Sequence, residues 1–271
     1  MRTLVHLSAL HFGRVESAIL ARLVEFIRAA KPDVVAISGD LTQRARTEEF
    51  TAAREFLGSV PFPQIVVPGN HDIPLHNVVS RFTRSLDRYT RYITADLQPS
   101  YVDSEIVVVG VNTARAWTWK ECRSNRSQLE RLRAMLQAAP SAATKIVVTH
   151  HPFDLPVGAS GRVVGRSHLA IKTMAECRVD LLLAGHFHIA DTGQTAKRYK
   201  MPGYSGIIVS SGTSTSTRGR GQPNSFNVIR IEEPGVTIER RVWRRDSRAF
   251  DVLSVERFHR SEDGWTRDDK T

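Results

Sequence analysis

Short apolar runs rich in β-branched residues recur along the first two thirds of the chain, and most are separated by segments whose apolar positions repeat every three to four residues. Thr3 to Ser8, Val34 to Ser38, Ile65 to Val67, Ile106 to Val109, Lys145 to Thr149 and Asp180 to Leu183 read as buried strands. Ile19, Leu23, Phe26, Ile27 and Ala30 share one face of a helix. Phe50, Ala53, Phe56 and Leu57 share a face of a second helix, which Thr47 is placed to cap with Glu48 and Glu49 in its first turn. Gln128 to Gln137 predicts a third. Strands alternating with helices point to an α/β fold.

The rhythm changes in the last third. Gly206 to Ser211, Ser225 to Ile231 and Val236 to Val242 are strand-like, and the turn Glu233, Pro234, Gly235 predicts an antiparallel hairpin between the last two. No repeat or long linker interrupts the chain, so a single domain over residues 1–271 is expected. The tail from about residue 247 is charged, with Phe250, Leu253, Phe258 and Trp265 scattered through it, and is expected to be peripheral and to fray from Arg267 to Thr271.

Composition narrows the function classes more than it alters the fold. With 41% hydrophobic residues, 271 residues can bury a substantial core. No apolar run approaches the roughly 20 residues of a membrane helix, and Met1 leads into a strand without a signal-peptide core, which predicts a soluble, cytoplasmic protein. Cys122 and Cys177 lack CxxC spacing, which argues against a cysteine zinc site or dithiol centre and predicts free thiols. The net charge of +10, from 38 Lys and Arg against 28 Asp and Glu, favours anionic partners without choosing among nucleotides, nucleic acid and lipid head groups.

The residues able to do chemistry sit where the buried strands stop: Ser8, Ala9, Leu10, His11; Ser38, Gly39, Asp40; Gly69, Asn70, His71, Asp72; His150, His151; and Gly185, His186, Phe187, His188. Carboxyl ends of neighbouring strands face one crevice in an α/β sheet. Imidazoles, a carboxylate and an amide oxygen suit borderline-hard cations such as manganese, iron or zinc. Glycines 39, 69 and 185 allow close approach, and each oxygen of Asp40 can serve a different cation. Two cations roughly 3.5 to 4 Å apart can clamp a phosphate and activate water, which is hydrolase chemistry.

Taken together, LSALHFG, SGDLT, PGNHD, THHP and GHFH resemble, in order and spacing, the D-x-H, GD, GNH[DE], H and GHxH blocks of the calcineurin-like metallophosphoesterase family. The stretch SGTSTSTRGRGQPNSFNVIRI is similar to the strand and loop that close the site in bacterial members similar to cyclic-nucleotide phosphodiesterases. The resemblance implies a four-layer αββα sandwich with two central mixed β-sheets. It also implies two divalent metal ions (Mn2+, Fe2+/Fe3+ or Zn2+) and hydrolysis of phosphate esters, such as the phosphodiesters of cyclic nucleotides, by a metal-bridging hydroxide. By position, the first ion would take His11, Asp40 and His188, with Ala9 where the family has an aspartate. The second would take Asp40, Asn70, His150 and His186. His71 would bind phosphate and assist the leaving alkoxide, oriented by Asp72, while His151 would be a substrate-side neighbour. With every other motif position retained, Ala9 implies an impaired variant: a weakened first site beside an intact second.

Outside the motifs, His6, His168, His259 and His76 are expected to be non-ligands. The stretch from Thr113 to Arg126 holds Arg115, Trp117, Trp119, Lys120 and Arg123, which suit either a lid over a base or lipid chain or an ordinary surface loop. Arg218 and Arg220 lie in a Ser, Thr and Gly-rich loop from which either could reach a phosphate. The basic, aromatic tail keeps open a phospholipid or nucleotide-sugar-lipid hydrolase associated peripherally with the inner face of an anionic membrane. Nucleic acid is a less favoured partner, since a nuclease reading rests on charge and family alone. Ala9 also admits a non-catalytic metal-dependent binding module.

Overall fold

The apolar runs become the strands of two sheets. A computed structural model of the chain describes residues 1–74, 83–114, 126–153, 167–196, 203–217, 221–262 and 264–268. The first sheet contains β1 (Arg2–Leu7), β2 (Val34–Ser38), β3 (Gln64–Val67), β10 (Ser225–Glu232), β11 (Gly235–Arg244), β12 (Ala249–Ser261) and β13 (Gly264–Arg267), in the order β13-β12-β11-β10-β1-β2-β3. The second contains β4 (Ser100–Val102), β5 (Ile106–Val111), β6 (Thr144–Thr149), β7 (Leu181–Ala184), β8 (Asp191–Gln194) and β9 (Ile207–Ser210), in the order β4-β5-β6-β7-β9-β8. β1, β2 and β3 run parallel, as do β5, β6, β7 and β9, while the outer strands are antiparallel. The sheets are mixed, as the resemblance implied.

Both faces of the central strands are covered, so they are apolar throughout rather than alternating. On β1, Leu4 points between the sheets toward a core that includes Val34, Val108, Ile146, Leu183 and Val209. Val5 and Leu7 point outward, onto Ile19, Leu23 and Ile27 of α1 (Ser17–Ala30) and Phe50 and Phe56 of α2 (Thr47–Ser59). Beneath the second sheet, Leu132 and Leu136 of α4 (Arg126–Gln137) and Ala170 and Met174 of α5 (Ser167–Glu176) cover Val107, Val147 and Leu182. Helix, sheet, sheet and helix make four layers. A short α3 (Asp87–Tyr92) lies between α2 and β4, and among the described residues no helix is long and apolar enough to cross a membrane.

Two local expectations resolve differently. Thr47 is the first residue of α2, and it is Glu49 that closes the helix start, its carboxylate accepting the Arg44 and Arg46 amides at 2.7 and 3.2 Å. The tail from residue 247 is peripheral in sheet order yet packed, since β12 and β13 form the sheet edge and bury Phe258 and Trp265. The Trp265 indole and the Arg260 guanidinium both donate to Asp180 Oδ1 at 2.8 Å, which ties that edge to the second sheet. Cys177 is a buried free thiol, while Cys122 lies outside the described residues.

Candidate metal centre

All the parallel strands present their carboxyl ends to the same edge, and the loops there carry the motif residues. The backbone is under strain at this edge. Ala9, His11, Asp40, His186 and His188 all have left-handed φ, at 51, 49, 56, 72 and 59°, a region costly to side chains other than Gly, Asn and Asp. Gly39 turns with φ 81°, and a side chain there would run into the His150 ring; one on Gly69 would run into the Asp40 carboxylate.

Asp40 is the hub. Its Oδ1 accepts the His71 amide hydrogen at 3.0 Å and lies 3.4 Å from His150 Nε2, while Oδ2 lies 3.7 Å from His11 Nε2. Burial by itself would push the Asp40 carboxyl up, but His150, His71 and His11 with the His71 amide outweigh it and hold the group well below the usual carboxylate range. One oxygen therefore faces each side of the centre in ionised form.

Backbone carbonyls fix the tautomers of three imidazoles. His150 Nδ1 is 2.8 Å from Ser38 O, His71 Nδ1 is 2.8 Å from Gln43 O and His11 Nδ1 is 3.2 Å from Thr42 O. A carbonyl oxygen only accepts, so each Nδ1 carries a proton, and Nε2 is the nitrogen left to bind a cation. His150 Nε2 lies 3.0 Å from Asn70 Oδ1, 3.3 Å from His186 Nδ1 and 3.4 Å from Asp40 Oδ1, and Asn70 Oδ1 is also 3.0 Å from His186 Nδ1. An amide oxygen, a carboxylate oxygen and two imidazole nitrogens gathered at this spacing are a donor set suited to a divalent cation, so the residues fit one.

On the other side, the ligand atoms of His11, Asp40 and His188 lie within 4.8 Å of one another. The His11 and His188 rings stack with centroids 5.2 Å apart, and His188 Nδ1 is 2.7 Å from Thr213 Oγ1. Ala9 is buried here, its amide on Gly39 O at 3.2 Å, and contributes no donor atom from its side chain. His71 is half-buried, edge-on to His11 at 4.8 Å.

Asp72 does not orient His71. Its carboxylate accepts the Gly69, Leu41 and Thr42 amides at 2.8, 3.2 and 2.8 Å and the Thr42 hydroxyl at 2.9 Å, tying the β2 and β3 loops together. Burial and then the charge of Asp40 push the Asp72 carboxyl up to about 6 against those donors. The orienting partner of His71 is the Gln43 carbonyl, because the chain after Asp40 folds back beneath the ring.

His151 is buried, and its ligand nitrogen is within 4.8 Å of those of His150 and His186. Burial first, then His150 and His186, hold its imidazole well below the ordinary value against the opposing pull of Asp40. Its ring Nδ1 and amide both approach Thr113 Oγ1 at 3.1 Å. Arg115 and Arg218, like His76, lie outside the described residues. Thr42, Gln43, Thr113 and Thr213 were missed by sequence reasoning, although each follows a strand end, which was the available signal.

The profile described as calcineurin-like phosphoesterase matches residues 2–190. A glycerophosphodiester phosphodiesterase of Enterobacter lignolyticus is 45% identical over 42 residues, 16% of this chain and 15% of its own length. A Caenorhabditis elegans protein named as a metallophosphoesterase is 30% identical over 193 residues, 67% of this chain and 35% of its own. The chain thus spans only a minor part of these relatives. In fold, it is similar to a purple acid phosphatase from yellow lupin (Lupinus luteus) seeds, with TM-score 0.66 and 13% identity over 94% of this chain and 53% of that one. An anchor protein of the Plasmodium inner membrane complex gives TM-score 0.61 and 13% identity over 94% and 87%.

Proposed function

The chain belongs to the calcineurin-like phosphoesterase family, and we propose that it is built as a metal-dependent hydrolase of phosphodiesters, of which Ala9 leaves an impaired form. The observation that carries this reading is the crowd of acceptor atoms around Asp40, with ring protons turned away onto backbone carbonyls. Asp40, Asn70, His150 and His186 would hold one divalent cation and His11, Asp40 and His188 the other, with manganese, iron and zinc all suited to the donors. When bound, such a pair polarises a phosphoryl oxygen and lowers the pKa of water toward neutrality.

The protein's own contribution is placement. His71, anchored through Nδ1 and reachable from solvent, presents Nε2 to an ester oxygen, and in its charged form has a proton there for the departing alkoxide. Asp72 keeps the loops that carry Asp40 and His71 in register. A diester substrate is supported by the named activity of the Enterobacter relative. The narrower reading, cyclic nucleotides, is supported by the resemblance of the stretch after Ser211. The charge of +10 suits an anionic ester and would also suit a lipid head group at a membrane surface.

The test is manganese content and hydrolysis of bis(4-nitrophenyl) phosphate, measured side by side for this chain and Ala9→Asp. A supporting tissue of hydrogen bonds is commonly worth 10 to 100-fold, so a direct ligand should restore roughly 100-fold or more in rate, with additional bound metal. A fully loaded Ala9→Asp protein that hydrolyses no diester would make the chain a binding module instead.

A further inference from the structure

The two adjacent histidines at the end of β6 are held in opposite senses. His150 turns Nδ1 to a backbone carbonyl, Ser38 O at 2.8 Å, so its Nδ1 proton is spent there and Nε2 faces the centre. His151 turns Nδ1 to a hydroxyl, Thr113 Oγ1 at 3.1 Å, and that hydroxyl already accepts the His151 amide hydrogen at 3.1 Å. Thr113 is fully buried, and among the described residues its hydroxyl proton has His151 Nδ1 as its acceptor. The alternative, with Nδ1–H pointing at Thr113, would leave that hydroxyl proton buried and unused, at a cost of roughly 1 to 3 kcal/mol. An Nδ1 that accepts a hydrogen bond has no proton, so the ring's proton is on Nε2.

We infer that His151 is a hydrogen-bond donor to an oxygen of the bound phosphate ester, held as its Nε2–H tautomer by Thr113, and not a further imidazole on the metal. An Nε2 that carries a proton has no lone pair for a cation, although its position near His150 and His186 would otherwise qualify it. The turn is braced for the purpose, with the Thr149 hydroxyl donating to His151 O at 2.9 Å. His151 packs against His186 with ring centroids 4.3 Å apart, so an ester oxygen drawn to a cation on His150 and His186 arrives beside a neutral donor. Thr113 is a positioning residue that acts through this ring. The inference rests on the proposed metal-dependent function for its ligand, but not for its tautomer.

The test has two parts. In metal-free protein, 15N chemical shifts of the imidazoles, with His151 assigned by its loss in His151→Gln, should show Nδ1 unprotonated; a protonated Nδ1 overturns the inference whatever the protein binds. In manganese-loaded protein, His151→Gln should keep the parent's metal equivalents while binding inorganic phosphate roughly ten-fold more weakly by calorimetry, the loss of about one hydrogen bond. Thr113→Val should reproduce most of that loss and Thr113→Ser should restore the parent value. Loss of a metal equivalent in His151→Gln, or unchanged phosphate affinity, would overturn the assignment. If the parent itself takes up no metal, the proposed function fails, and the tautomer measurement still decides this point.

Discussion

Asp40 offers one carboxylate oxygen to each half of the centre, and the halves differ in what else they gather around it. On the Oδ1 side, Asn70, His150 and His186 arrive from three strand ends with 3.0 to 3.3 Å between their donor atoms. On the Oδ2 side, His11 and His188 are stacked and anchored on Thr42 and Thr213, but Ala9 brings nothing. His11 and His188 in the poorer half are anchored from outside the cluster, as His150 is in the richer one. Scaffold and ligand count are therefore separable: the strand ends, the left-handed turns and the ring anchors are in place where position 9 offers no ligand atom. Ala9 itself keeps φ at 51°, a conformation that suits Asp better than Ala.

The largest effect should come from the shared residue. Asp40→Ala removes the negative charge from both halves and leaves buried imidazoles facing one another, so manganese affinity should fall by about 10³-fold or more, with no full equivalent retained by metal analysis. Retention of one equivalent would show that Asp40 serves a single half.

Next in size is the inequality between halves. Asn70→Ala should weaken the tightest manganese site by roughly 10 to 100-fold, while His11→Ala should leave it nearly unchanged, because His11 belongs to the half where Ala9 offers no side-chain ligand atom. The reverse order in a calorimetric titration would break the comparison.

The strand ends of both halves were legible in sequence, for physical reasons. Strands covered on both faces are apolar runs bounded by sharp turns, so β2, β3, β6 and β7 could be read along with the residues that follow them. β5 was read as ending at Val109, whereas it continues through Gly110 to Val111, which hid Thr113 as a strand-end residue. Strands β4, β8 and β13 at the sheet edges, and β12 next to one, lack the double cover that makes a run apolar, and in β12 a register irregularity opposite Arg240 and Arg241 also breaks alternation. The role given to Asp72 failed because adjacency in sequence says nothing about where a carboxylate turns when three amides are within reach. Motif spacing picked out residues that the fold brings together; it did not identify what holds them.

A smaller effect tests that holding directly. In an Ala9→Asp background, Thr213→Val would remove the 2.7 Å partner of His188 without touching a ligand, and manganese affinity of the Oδ2 half should fall about ten-fold while the Oδ1 half stays level. Equal losses in both halves would mean that Thr213 supports the fold rather than His188.

The smallest effect separates stability from metal binding. His6 is a fully buried imidazole that is not placed as a ligand, with Nε2 2.9 Å from Ser38 Oγ, and Ser38 O in turn receives the His150 Nδ1 proton. Burial lowers the His6 pKa from 6.5 to about 3 in the folded protein. Above pH 6.5 both folded and unfolded chains hold it neutral, and it adds no pH dependence. As pH falls below 6.5 the unfolded chain takes up a proton that the folded one refuses, so stability declines by ~1.4 kcal/mol per pH unit until about pH 3. His6→Gln keeps a donor for Ser38 and removes this titration. Urea unfolding of metal-free protein at pH 7 and 5.5 should then show the parent losing about 1 kcal/mol more than the variant. Since Ser38 touches the Oδ1 half alone, acid-strengthened loss of manganese from that half, relieved in His6→Gln, would place His6 beneath the richer side; identical acid limbs in the two proteins would remove it from the comparison.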